Sequence, residues 1–307
     1  MLKYIVREEL IVIFKAVDIE DKEIITQYLK KGYHEACEYS FTTMFMWQHY
    51  YHTKYYRGDD YIVLLGEYED ESFTVMPLSD KANMKSAFEF IYDYFDGKGL
   101  EFSVRAATKE FADFLEEHYP DRFLIREERD YFDYVYDAEK LRTLSGRKYS
   151  KKKNHYNHFK KTYLGRYEYK RLTQNDFNEC IEFLKKWSMQ KGEADDTLEN
   201  EIIAIKKLLG NYGRLDVKVG GIFIDGRLEA FSIGDRVNED MAIVHVEKAN
   251  SDIRGLYNAI NKLFLLNEFP DVKYVNREED IGIEGLRKAK LSYNPIRFVE
   301  KYSVLEK

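Results

Sequence analysis

The chain has 307 residues, 44% of them apolar, 16% aromatic and 34% charged, with 48 basic against 55 acidic side chains and a net charge of −7. That size fits two domains with substantial cores, and only four prolines and no Ser/Gly-rich tract argue against a long disordered linker. No apolar run reaches the ~18 residues of a membrane span, the opening MLKYIVREELIVIF carries acids inside its apolar run and is no signal peptide, and Cys37 and Cys180 have no metal-ligand spacing, so a reduced, cytoplasmic protein is expected.

Val12 to Ala16 reads as a strand. Asp18, with Asp21 three residues on, caps a helix whose inner face is Ile24, Ile25, Tyr28 and Leu29, and Gly32 ends it. The aromatic run EYSFTTMFMWQHYYHTKYY (38–56) reads as a short helix breaking into strand. Tyr61–Leu65 and Phe73–Leu78 are strands around the acidic turn at Glu69, Asp70 and Glu71. Met84, Phe88, Ile91, Tyr92 and Phe95 recur at helical spacing up to Gly97; Leu100, Phe102 and Val104 alternate as a strand; Thr108 caps another helix; Tyr131–Tyr136 returns as a strand.

The second half repeats this order. Tyr167–Arg171 is a strand, and Thr173 caps a helix with Phe177, Cys180, Ile181, Leu184 and Trp187 inward. A helix through Ile202, Ile205 and Leu209 precedes three strands, Leu215–Ile224, Arg227–Asp235 and Met241–Val246, with a type I′ turn predicted at Asp225-Gly226. A helix containing Ile260, Phe264 and Leu265, a strand at Asp271–Val275, a basic helix and a strand at Arg297–Val304 complete the chain. The repeated order predicts a duplicated α/β unit: a first domain over 1–140, a connecting helix over 141–165, and a second domain over 166–307 that carries the cleft.

The connecting stretch LSGRKYSKKKNHYNHFKKTY (144–163) holds seven basic residues and no acid, which leaves 41 basic against 55 acidic residues elsewhere. Tyr149, Lys152, Tyr156, Phe159 and Tyr163 fall at steps of three and four, so one helical face is aromatic and the other cationic. A solvated bridge between domains is one reading. The other is an anion-binding helix, with Arg147, Lys148, Lys151, Lys152 and Lys153 meeting the phosphates of a nucleic acid or, peripherally, an anionic membrane surface. Nothing in the stretch reads bases.

The strand MAIVHV (241–246) runs into Glu247-Lys248, and Glu278, Glu279 and Asp280 follow the next strand. Charge at the carboxyl ends of buried strands is where α/β folds place ligands. Neither GxGxxG nor GxxxxGK[ST] is present. Acyl transfer requires a base and donors for an oxyanion. Glu247 is the first candidate for the base; Lys248, Arg254 and Lys288 are candidates for binding phosphate or oxyanion; Glu279 and Asp280 are candidates for an α-amine. His155, His158 and His245 read as structural histidines, and no cluster has metal-ligand spacing.

Three stretches, EYSFTTMFMW, LSGRKYSKKKNHYNHFKKTY and VNREEDIGIEGLRKAKLSYNP, resemble the bacterial family related to the C-terminal domain of phosphatidylglycerol lysyltransferase. The resemblance implies an α/β (mixed-sheet α+β) fold of two tandem GNAT-like acyltransferase domains. It further implies membership of a group, with the Fem-type enzymes, that moves an aminoacyl group from aminoacyl-tRNA to a lipid headgroup or peptide acceptor. The GNAT coenzyme A loop [QR]xxGx[GA] corresponds to Arg254–Ala259, where Tyr257 replaces the glycine that lets amides approach phosphate. Acetyl-coenzyme A is therefore disfavoured and no other cofactor is expected. Tyr293 is the tyrosine nearest the GNAT general-acid position. The catalytic candidates are Glu247, Lys248 and Tyr293. The substrate-binding candidates are Arg254, Tyr257, Asn258, Arg277, Glu279, Asp280 and Lys288. Coenzyme A-dependent N-acyl transfer and a non-catalytic fold holding an anionic ligand are the alternative functions.

Overall fold

A computed structural model of the protein describes residues 12–32, 34–191 and 196–307; the first eleven residues of the opening apolar run lie outside them. The chain begins with β1 (Lys15–Ala16), α1 (Lys22–Leu29), α2 (Phe41–Met46), α3 (Gln48–Tyr51), β2 (Lys54–Arg57), β3 (Tyr61–Tyr68), β4 (Glu71–Thr74) and β5 (Leu78–Ser79). It continues through α4 (Met84–Lys98), β6 (Ser103–Ala107), α5 (Lys109–His118), β7 (Phe123–Glu127), β8 (Asp133–Asp137), α6 (Ala138–Thr143) and α7 (Ser150–Thr162). Local chemistry explains the boundaries. The Asp18/Asp21 capping box leads into α1, Thr108 accepts from the Phe111 amide at the start of α5, and Glu69 and Asp70 both take positive φ in the β3–β4 turn. The α4 helix stops at Gly99, two residues beyond the expected Gly97, because Gly99 rather than Gly97 adopts the left-handed conformation.

The second half comprises β9 (Tyr167–Arg171), α8 (Phe177–Lys191), α9 (Asp196–Gly210), β10 (Lys218–Ile224), β11 (Arg227–Arg236), β12 (Met241–Ala249), α10 (Leu256–Glu268), β13 (Tyr274–Asn276), α11 (Glu284–Leu291), β14 (Arg297–Val299) and β15 (Tyr302–Glu306). A Thr173/Asp176 capping box precedes α8, and Asp225 and Gly226 take φ of 51° and 77° in the β10–β11 hairpin.

Two sheets result. The first runs β1-β2-β3-β4-β6-β15-β7, with β5 on β3; the second runs β14-β8-β13-β12-β11-β10-β9. The strands do not stay with their halves. β8 pairs antiparallel with β13 and β14 in the second sheet, and β15 inserts antiparallel between β6 and β7 in the first. The single strand expected over 297–304 is therefore two strands, broken at Glu300-Lys301 where the chain crosses between sheets. One hydrophobic core unites the first sheet with α8, α9 and one face of the second; α6, α7 and α10 close a separate core over the other face. Among the described residues no helix is long and apolar enough to cross a membrane.

Candidate active site

β12 and β13 are parallel but touch only briefly. They pair at Met241–Tyr274, Ala242–Val275 and Ile243–Asn276, after which β12 continues to Ala249 while the chain beyond Asn276 turns away. Two local features open this wedge. The β11–β12 register slips between Ile233 and Gly234, making His245 the extra residue of a bulge; a Cβ on Gly234 would lie 2.3 Å from the Ile243 carbonyl oxygen. On the other side the Asn276 side chain accepts from the Glu278 amide at 2.7 Å, and Glu278 takes φ of 57°.

Glu247, Asn258, Arg277 and Tyr293 meet in the wedge. One Glu247 oxygen accepts from Arg277 Nη2 at 2.9 Å and the other from Asn261 Nδ2 at 2.9 Å. The Arg277 guanidinium lies 4.8 Å from the centroid of the Tyr293 ring, and the Tyr293 hydroxyl accepts from Asn258 Nδ2 at 2.6 Å. Burial, and then the Glu247 charge, push the Tyr293 hydroxyl well above the usual phenol range, so it stays protonated. Lys152 reaches in from α7, its Nζ 3.8 Å from the centre of the same ring. Burial, with Arg277 adding to it, lowers the Lys152 ammonium to about 8. Lys290 fixes the wall of the wedge, donating to the carbonyls of Arg277 and Glu278.

The other sequence candidates lie elsewhere. Lys248 points to the opposite face of β12, paired with Glu201 at 2.7 Å and 4.1 Å from the Trp187 ring, and the Tyr257 hydroxyl accepts from Trp187 Nε1 at 3.4 Å. Lys288 pairs with Glu284 on the exposed face of α11, and Arg254 is exposed ahead of α10. Asp280 is buried, held by Arg287 Nε at 2.9 Å and by Tyr134, so it braces α11 instead of facing a donor amine. Glu279 faces the first half of the chain, where Cys37 lies against it. Arg147, Lys148, Lys151 and Lys153 are exposed, and their side chains have no carboxylate partner among the described residues. Lys152 departs from that group, because its place on the aromatic stripe of α7 turns it inward.

Two charged clusters escaped the sequence reading. Lys301, at the crossing between sheets, donates to Asp133 and Glu38 at 2.7 Å each and lies 3.6 Å from Glu279 and 3.5 Å from Cys37 Sγ. Cys37, Glu38 and Glu279 are close enough to hold a cation, and the Lys301 ammonium supplies that charge. His245 sits between Asp235 (3.1 Å) and Glu278 (2.8 Å), and Asp235 also accepts from Thr42 of α2. Burial opposes the charge on His245, but the two carboxylates push it up to about 10, so it is an imidazolium, and the Thr42–Asp235 bond ties this cluster to the first half. The adjacent acids Glu278-Glu279 were the one visible signal, and their partners are more than 30 and 240 residues away.

Among the described residues the first sheet has no equivalent wedge. β4 and β6 pair only at Thr74–Val104, and Tyr39 fills the gap beyond: its hydroxyl donates to the Ala106 carbonyl at 2.8 Å and accepts from the Met76 amide at 3.3 Å. In the second half, α7 crosses the start of α10. A Cβ on Gly255 would lie 2.2 Å from the His155 carbonyl oxygen, so the backbone of α7 covers the helix N-terminus where a GNAT would seat a pyrophosphate.

Residues 31–305 match the family described as "Phosphatidylglycerol lysyltransferase, C-terminal". The chain is similar to a conserved protein of unknown function from Bacteroides thetaiotaomicron, at 32% identity over 97% of this chain and 100% of that one, with a TM-score of 0.90. The L-PGS structure from Bacillus licheniformis is 13% identical over 93% and 91% of the two chains (TM-score 0.66), and a tandem GNAT protein from the clavulanic acid biosynthesis pathway is 10% identical over 96% and 98% (TM-score 0.52). Both share the fold, so the two sheets are tandem GNAT-like units. The chain spans about half the length of the curated relative it matches, an uncharacterized protein of Mycoplasmoides gallisepticum, at 26% identity over 175 residues, covering 56% of this chain and 55% of that protein.

Proposed function

Because this chain belongs to the phosphatidylglycerol lysyltransferase C-terminal family, whose fold is that of acyltransferases, we propose that it transfers an aminoacyl group from aminoacyl-tRNA to an amine or hydroxyl acceptor, a lipid headgroup or a peptide. The observation that carries this reading is the position of α7. The helix presents exposed Lys151 and Lys153 to solvent, sends Lys152 into the wedge, and lies across the α10 N-terminus. A cationic surface that leads directly into the wedge suits a polyanionic donor whose reactive ester is at its tip. The same crossing leaves coenzyme A without the helix terminus that a GNAT uses for pyrophosphate, which ranks coenzyme A-dependent N-acyl transfer second. In the transfer, the acceptor nitrogen or oxygen attacks the ester carbonyl and the tRNA 3′ oxygen leaves with a proton. The protein's part is to position the ester and neutralise the charge that develops on it.

Thermal-shift measurements with charged tRNA and with acetyl-coenzyme A test this. Stabilisation by charged tRNA is expected, weakening in K151Q/K153Q with a salt slope flatter by about 0.7–0.9 per lost phosphate contact. Stabilisation by micromolar acetyl-coenzyme A with none by tRNA would reverse the ranking.

A further inference from the structure

We propose that Lys152 Nζ and Arg277 Nη1 form a seat for the terminal phosphodiester of the RNA donor, at the mouth of the wedge between β12 and β13. The inference rests on the aminoacyl-tRNA reading and assigns a ligand group to two side chains within it. Arg277 is almost enclosed, with 12% of its side chain exposed, and spends only Nη2 on Glu247; Nη1 is buried and has no hydrogen-bond partner. Lys152 is half-buried, and its ammonium has neither a carboxylate nor a hydrogen-bond acceptor among the described residues. Both cations lie against the Tyr293 ring, Lys152 Nζ at 3.8 Å and Arg277 at 4.8 Å from its centroid. Two desolvated cations held on one ring repel, and Arg277 contributes to the lowered affinity of Lys152 for its proton. An anion reaching both would relieve that repulsion, satisfy Nη1, and strengthen the hold of Lys152 on its proton.

The charge balance favours an anion over a further cation. Glu247 is the one carboxylate that both side chains feel, and each of its oxygens already accepts a hydrogen bond. The favoured source is RNA over lipid, because Lys152 is flanked on α7 by Lys151 and Lys153, which face solvent and can follow the backbone leading to the terminal phosphate. One free guanidinium nitrogen, Nη1, and a point-charge ammonium together suit a phosphodiester, which presents two non-bridging oxygens.

Lysine acetylation by an N-hydroxysuccinimide ester at pH 8, read residue by residue by peptide mass spectrometry on the full chain, tests the seat. The depressed proton affinity of Lys152 makes it reactive there. Two RNAs are compared, a deacylated tRNA with its intact 3′ end and the same tRNA trimmed of its last two nucleotides. Both should protect Lys151 and Lys153; only the intact tRNA should slow Lys152 acetylation, by several-fold. In R277K, which keeps a cation for Glu247 but lacks the second donor, protection of Lys152 by intact tRNA should fall while that of Lys151 persists. Equal protection of Lys152 by both RNAs, or protection of its neighbours with none at Lys152, would overturn the seat and leave the tRNA reading standing. Protection of Lys152 by phosphatidylglycerol vesicles and not by tRNA would assign the site to a lipid phosphate and overturn it too. Absence of protection at all three lysines would sink the tRNA reading and the seat together. If R277K does not fold, the intact-against-trimmed comparison in the parent protein decides.

Discussion

Replacing Lys301 with Met is expected to destabilise the protein by about 3–5 kcal/mol at pH 7, the usual cost of removing one partner from a buried ion pair. Lys301 is 1% exposed and its partner Asp133 is fully buried, while Glu38 and Glu279 are about three-quarters buried. Asp133 also accepts from the Cys37 amide and from Asn276 Nδ2, both at 2.8 Å, so the carboxylate cannot swing out to water when the ammonium is gone. The loss falls where the chain passes from β14 in one sheet to β15 in the other, so both sheets should loosen together. The double variant K301M/D133N should recover much of the loss, since the amide introduced in place of the Asp133 carboxylate would still accept from the Cys37 amide and carry no charge. Acid should narrow the gap. Burial, opposed by Lys301 and reinforced by Asp133 and Glu279, pushes Glu38 up to about 7. A carboxyl raised in the folded state contributes stability that is fully present below about pH 4.5 and is lost as the pH rises through about 7. Without Lys301 to oppose burial, Glu38 should hold its proton to higher pH still, and K301M should be closest to the parent in mild acid. Urea unfolding at pH 5 and pH 8 checks this; an equal deficit at both would show that charge is not what Lys301 supplies.

Changing Glu247 to Gln should lower the transfer rate by roughly 10²-fold or more, the scale of a positioning error in a reacting site. The sequence marks Glu247 as a general base, but the geometry leaves it no free oxygen: one binds Arg277 and the other Asn261. Gln keeps the size but presents an NH₂ group to one of two donors and removes the counter-charge of Arg277. Arg277 would then shift from the Tyr293 ring. The two roles differ in their pH profiles. A base predicts that the variant loses the acidic limb of the rate profile and ~10²–10⁴-fold in rate with unchanged KM. A residue that holds Arg277 predicts a loss of similar size with an unchanged profile and a raised KM for the charged tRNA. The second outcome is expected.

Elements with local causes were legible in the sequence. The caps at Asp18, Thr108 and Thr173 and the Asp225-Gly226 turn operate over three or four residues, and each stands where its chemistry puts it. The exchange of β8 and β15 was not legible, because a strand's partner is chosen by packing at long range: Tyr302 lies opposite Ala107 and Glu127, and Val275 opposite Tyr136. β7, short and flanked by charge, gave no alternating pattern. The site shows the same division. Charge after the β12 and β13 strands located the wedge, yet neighbouring residues point apart, so Glu247 enters it while Lys248 faces Trp187, and Arg277 enters it while Glu279 and Asp280 turn to other partners. Lys152 is the instructive case. Its spacing with Tyr149, Tyr156 and Phe159 already placed it on the aromatic face of α7, although its charge suggested the solvent face.

The wedge is proposed to accept an aminoacyl-tRNA donor. The most direct test is a single-turnover incubation of the protein with a pool of radiolabelled aminoacyl-tRNAs and a mixture of phospholipid vesicles and peptide acceptors. Label remaining on acid-precipitable tRNA and label appearing in lipid or peptide are both followed. Label should leave the tRNA faster than by spontaneous hydrolysis and appear in one acceptor class, and its release should slow in E247Q. Spontaneous-rate loss of label, in a preparation that consumes acetyl-coenzyme A when offered the same acceptors, would contradict this reading.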